Sequence, residues 1–178
     1  MEKHRPALVL CFRLKALAHI TAEFVALICA AAGDIAAVIL YNDQANFLSE
    51  DTAKIKDFVR RLQQSGISVL IDSSVQKFLP LCDINFEGMH YTQLEPCLTH
   101  LKNKGQQIIG LGNVSSKHEA MEAAEAGADY IFFGSLEENK QINICERSFI
   151  LAAWWAGLMN IPCVVQGGNS LESVEQAL

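Results

Sequence analysis

Acids, a histidine, a lysine, an arginine and several glycines fall at or just after the ends of apolar, β-rich runs in this chain. Arg13 follows ALVLCF and Asp72 closes VLID. His90, Gln93 and Glu95 follow one another in GMHYTQLE. Gly110, Gly112 and Asn113 close IIGLGN, Gly134 and Ser135 close YIFFGS, Lys140 comes five residues later, and Gln166, Gly167 and Gly168 close CVVQGG. A phosphorylated small molecule needs only a local cluster of donors, and residues gathered at strand ends could supply one.

The segment Gln106 to Gly134 is one strand–helix–strand unit of a parallel α/β fold. Similar units recur along the chain. Strands are expected at Ala7–Phe12, Ala36–Tyr41, Ser68–Asp72, Ile84–Tyr91, Gln106–Leu111, Tyr130–Phe133 and Pro162–Val165. Helices are expected at Ile20–Ala32, Glu50–Ser65, after Asp72 to about Leu81, at Leu94–Lys104, from Ser116 to Gly127, at Asn143–Met159, and from Asn169 or Ser170 to Leu178. Ser116 and Glu119 have capping-box spacing. Ile150, Leu151, Trp154 and Leu158 are expected to share the buried face of the sixth helix. Strands such as VILY are apolar throughout, as when both faces are covered.

Repeated right-handed crossovers give a barrel or a doubly wound sheet. The phosphate fingerprints of doubly wound folds are missing from the sequence. The expectation is therefore a (β/α)8 TIM barrel in one domain, residues 1–178, with seven β/α units visible and the eighth strand missing or beyond this chain. Its active site would then lie at the carboxyl ends of the strands.

Composition narrows the partners. Hydrophobic residues make up 51% of the 178 residues and charged residues 19%, which is a globular composition. The net charge is −6 and the 14 lysines and arginines are scattered, which argues against a nucleic-acid surface. No apolar run has the length of a membrane span. None of the six cysteines forms a C-x-x-C pair, so they read as reduced, packed thiols in a cytoplasmic protein. The acidic chain and the Phe47 loop are compatible with a homodimer.

The run IIGLGNVSSKHEAMEAAEAGADYIFFG resembles the thiamine-phosphate synthase and thiazole tautomerase family, with its pattern IIG…S…EA…A…GADY…GP. Three further pieces match in order. EGMHYTQ resembles the family's D-G-V-H-L-G-Q, LIDSS its Asn-Asp turn after strand three, and IPCVVQGGN its P-V-x-x-G-G-I. The resemblance implies a transferase that joins a hydroxymethylpyrimidine diphosphate to a thiazole phosphate, with Mg²⁺ helping pyrophosphate to leave. It implies Asp72 and Glu95 as metal ligands, and Lys140 and His90 as catalytic residues. Gly112, Asn113, Gly134, Gln166, Gly167, Gly168 and Arg13 become candidate substrate-binding residues.

The sequence also departs from that pattern. The family's diphosphate clamp after strand two, Q-x-R-x-K, is replaced by YNDQANF, which has no cation and adds Asp43. The Asn-Asp pair becomes Asp72-Ser73. The threonine-rich T-x-T-K loop becomes Glu137-Glu138-Asn139-Lys140. The strand-five serine falls on Gly112 or on Asn113, depending on where counting starts. The tautomerase histidine falls on Ser115, with His118 one turn further. Two other functions stay open: a non-catalytic relative that binds a phosphorylated metabolite, and a thiazole phosphate isomerase. Each side chain also has a structural reading. His90 reads equally as a hydrogen-bonded core histidine, Asp72 as a cap, Lys140 as a solvated loop residue, Arg13 as a surface arginine, Gly167-Gly168 as a tight turn, and Trp154-Trp155 as helix packing.

Overall fold

A computed structural model describes residues 7–41, 52–75, 84–136, 145–167 and 170–177. Seven strands lie in one sheet in sequence order: β1 (Leu8–Arg13), β2 (Ile35–Tyr41), β3 (Ser68–Asp72), β4 (Gly88–Tyr91), β5 (Ile108–Leu111), β6 (Tyr130–Phe133) and β7 (Cys163–Val165). The pairs β1–β2, β2–β3, β5–β6 and β6–β7 are parallel. Helices α1 (Leu14–Leu17), α2 (Ala22–Ala30), α3 (Thr52–Gln64), α4 (Leu94–Leu101), α5 (Lys117–Glu125), α6 (Glu146–Leu158) and α7 (Leu171–Ala177) alternate with them. This is the α/β order of the TIM-barrel architecture, as the sequence leads one to expect. Among the described residues no helix is long and apolar enough to cross a membrane.

The chain forms two compact units, Met1–Met89 and His90–Leu178. In the first, Val38, Ile39 and Leu40 of β2 and Val69, Leu70 and Ile71 of β3 are all buried. Consecutive strand residues face opposite ways, so both faces of these strands are covered. Ile55, Phe58, Val59 and Leu62 of α3 supply the helical cover at the expected spacing. Phe12 packs edge-on against Phe24 and Phe58, with centroids 6.3 and 5.8 Å away. The short helix expected after Asp72 to about Leu81 falls largely outside the described residues.

The first helical region differs from the expectation. One helix, α2, fills Ala22–Ala30 within the expected Ile20–Ala32, but the single turn α1 precedes it, and a 3-10 turn over Ala32–Asp34 takes in Gly33. Thr21 sets the new start, because its hydroxyl accepts the Phe24 N–H at 3.2 Å. The fourth strand is also shorter than expected. Before Gly88, Glu87 bonds Val69 through both its backbone N–H (3.1 Å) and its carboxylate (2.8 Å).

In the second unit, Ile109, Leu111, Ile131, Phe132 and Phe133 form the strand core. Ser116 caps α5 by accepting the Glu119 N–H at 3.2 Å. The Glu119 carboxylate reaches back to the Ser115 N–H at 3.1 Å, one residue further than a simple capping box. Gly127 ends this region with φ 100°. The buried face of α6 is not the expected one. Leu151, Ala152 and Trp155 are buried, whereas Ile150 and Leu158 are 57% and 68% exposed. The large indole decides the rotation. Trp155 packs edge-on against Phe133 with centroids 6.1 Å apart, and its N–H donates to the Ile161 carbonyl at 2.8 Å. Trp154 is left half-buried, with the Lys117 ammonium 4.5 Å from its ring centroid.

Candidate active site at the strand ends

In the second unit the ends of β4 to β7 are joined by single backbone hydrogen bonds. The Gly112 N–H donates to the Tyr91 carbonyl at 2.7 Å, the Asn113 N–H to the Gly134 carbonyl at 2.9 Å, and the Gln166 N–H to the Phe133 carbonyl at 3.2 Å. Three conformational features hold this rim. Asn113 sits in the left-handed region at φ 58°, which asparagine tolerates better than most residues. Gly134 has φ 144°, and a Cβ there would stand 2.6 Å from the Gln166 Cβ. Both facts require glycine. The Gln166 side-chain oxygen accepts the Ser135 N–H at 3.1 Å, which ties β7 to β6 a second time.

Beneath the rim, Gly110 on β5 and Gly112 just after it are two residues apart, so neither puts a side chain on the face they share. Tyr130 lies opposite Gly110 in the ladder, and a Cβ at 110 would stand 2.1 Å from its ring. A Cβ at 112 would stand 2.3 Å from His90 Nε2. The two rings therefore fill the space that the glycines leave. They also bond to each other, with His90 Nδ1 and the Tyr130 hydroxyl 2.7 Å apart. His90 is fully buried, and Phe132 packs against it with centroids 5.6 Å apart. Burial pushes its pKa down to about 3, so the imidazole is neutral at physiological pH. Its Nε2 has no hydrogen-bond partner among the described residues.

The sequence-derived candidates thus occupy distinct surroundings. His90, Gly112, Asn113, Gly134 and Gln166 are brought together in the second unit through the contacts just described. At the strand-five position no side chain fits at Gly112, while Asn113 is exposed. Gly167 packs against α7, where a Cβ would stand 3.1 Å from Val174 Cγ2. Glu95 is exposed in the first turn of α4. In the first unit, Arg13 ends β1 and its Nε donates to the Tyr41 hydroxyl at 3.3 Å, so it is anchored at the strand end. Asp72 ends β3, 4% exposed, and its Oδ1 accepts the Ser74 N–H at 2.8 Å as well as the Ser74 hydroxyl. Lys140 and Gly168 lie outside the described residues. His118 is exposed on α5, 3.7 Å from Glu122.

Tyr130 is the residue that reading the sequence passed over. Its signal was present in G-x-G on one strand followed by an aromatic at the start of the next. Register is needed to see that these positions face each other.

Among the described residues no group of three or more His, Cys, Asp or Glu could hold a metal ion.

Comparison with known proteins bears on the family of the chain. A family model described as thiamine monophosphate synthase matches residues 14–178. A thiamine-phosphate synthase of Hyphomonas neptunium is 32% identical over 115 residues, covering 62% of this chain and 50% of that protein. Those of Erythrobacter litoralis and Rhodospirillum centenum are 43% and 38% identical over 63 and 68 residues, covering 34% and 37% of this chain and 30% and 32% of theirs. The matched segments thus span half or less of these relatives. With the family model matched over nearly its whole length, the chain belongs to the thiamine monophosphate synthase family.

Proposed function

We propose that this chain carries out a thiamine-phosphate-synthase-like transfer in thiamine biosynthesis, acting in the cytoplasm on two phosphorylated small molecules. The observation that carries the reading is the family match over residues 14–178, joined to a rim whose glycines and amides stand at the strand ends where such folds bind ligands. In the reaction the bond from the pyrimidine methylene carbon to the diphosphate oxygen breaks. Pyrophosphate departs with the electron pair, and the thiazole nitrogen lone pair forms the new C–N bond.

The chain's own residues divide the work by charge. The backbone of Gly167 and Gly168 receives the thiazole phosphate. Gly112, Asn113, Gly134 and Gln166 form the rim around the heterocycles, with the Asn113 amide as the side chain facing a ligand. Lys140 is the catalytic cation that meets the leaving pyrophosphate. Arg13, set at the β1 end by Tyr41, supplies a second positive charge in place of the missing clamp. Asp72 and Glu95 are the oxygen donors that would hold Mg²⁺, which when bound offsets the charge that develops on the leaving group. His90 is neutral and fully buried, so its part is to position the β5 end rather than to exchange protons.

A specific feature favours one alternative, a non-catalytic relative that binds a phosphorylated metabolite. The segment YNDQANF places Asp43 where the family carries cations, and a like charge near a diphosphate is repulsive. Titration calorimetry with thiazole phosphate, then with Mg²⁺ and the pyrimidine diphosphate added, separates the two. Heat from thiazole phosphate followed by turnover heat supports the transferase. Binding without turnover supports the alternative, and no binding of either substrate removes both.

A further inference from the structure

We infer that Tyr130 is a positioning residue: its hydroxyl holds His90 in the Nδ1–H tautomer, and the ring so fixed carries the Gly112–Asn113 end of β5. The second half of this rests on the proposed function, in which that strand end contacts substrate.

Gly110 and Gly112 put no side chain on the face they share at the end of β5, and Tyr130 and Phe132 put aromatic rings on one face of β6. The His90 ring from β4 sits among them, near-parallel to Tyr130 (19°, centroids 5.9 Å apart) and tilted against Phe132. Each neighbour limits a different motion of the imidazole. Gly112 lies against Nε2, so any side chain there would expel the ring.

The tautomer follows from the hydrogen bonds. Nδ1 has the Tyr130 hydroxyl at 2.7 Å, while Nε2 has no partner among the described residues. A proton on Nε2 would be a buried N–H with nothing to receive it, and such orphan donors are rarer in native structures than under-used acceptors. The proton therefore belongs on Nδ1, where it is donated to the Tyr130 oxygen, and Nε2 is left as the under-used acceptor. Without the Tyr130 oxygen, Nδ1 would lose its acceptor and the ring would have no reason to keep either tautomer or orientation. Gly112 bonds Tyr91, and Asn113 bonds Gly134. A shift of His90 therefore reaches the rim directly through its contact with Gly112.

The test uses the full chain with ¹⁵N-labelled histidine. Long-range ¹H–¹⁵N spectra should show wild-type His90 as the neutral Nδ1–H form. In Tyr130→Phe the form should change to Nε2–H or a mixture, and the affinity for thiazole phosphate should fall about tenfold, the effect of losing one buried hydrogen bond. Wild-type His90 in the Nε2–H form overturns the inference, and this reading stands even where Tyr130→Phe does not fold. An unchanged tautomer in Tyr130→Phe overturns it as well, and so does a changed tautomer with unchanged affinity. If the wild type binds no thiazole phosphate, the proposed function fails, and the two tautomer spectra alone decide whether Tyr130 sets His90.

Discussion

The imidazole of His90 occupies the space that a side chain at Gly112 would need, with Nε2 2.3 Å and Cε1 2.5 Å from the position of an added Cβ. The glycine at the end of β5 therefore serves the histidine on β4 before it serves any ligand. Gly112→Ala should cost about 1–3 kcal/mol through overpacking. Chemical denaturation of the variant should show a lower midpoint, and an unchanged midpoint would mean that the ring has room to move aside.

Gly134→Ala should be disabling for a different reason. Its φ of 144° is strained for any L side chain, and its Cβ would stand 2.6 Å from that of Gln166. Relief would require β7 to move away from β6, breaking the Ser135–Gln166 bond. A stability loss of about 1–3 kcal/mol is expected, together with a fall in thiazole phosphate affinity measured by calorimetry. Full retention of both would show that the β6–β7 rim is compliant.

Acid should weaken the fold through His90. Its pKa in the folded chain is lowered from 6.5 to about 3, so below 6.5 the unfolded chain takes up a proton that the folded chain refuses. Stability from this group is fully present above 6.5 and declines as pH falls toward about 3. The slope approaches about 1.4 kcal/mol per pH unit inside that window. Denaturation midpoints of wild type and His90→Gln, compared from pH 7 to pH 4.5, isolate the effect, because glutamine does not titrate. The wild type should lose stability faster over that range. Parallel curves would place His90 in contact with water.

Much of the fold was legible in the sequence because apolar β-rich runs bounded by turns leave few choices. Ser68–Asp72 and Tyr130–Phe133 were read residue for residue, and Ser116 caps α5 as its spacing implied. Periodicity failed on α6, where apolar residues surround the helix and Trp155 selects the buried face by the space it needs. The first expected helix was placed two residues too long at each end, because a continuous Ala-rich run concealed the Thr21 cap. At the site, strand ends were easy to locate. What lay between them was not, since the pairing of Gly110 with Tyr130 and of Gly112 with His90 depends on register and depth.

The most direct test of the transferase reading is Mg²⁺-dependent formation of thiamine phosphate from the hydroxymethylpyrimidine diphosphate and the thiazole phosphate, followed chromatographically with the wild type, Asn113→Ala and Lys140→Ala. The predicted result is product with the wild type and a rate lower by about tenfold or more in each variant, since each loses a contact to substrate or leaving group. No product from the wild type, with thiazole phosphate still bound, would contradict transfer and leave a binding protein.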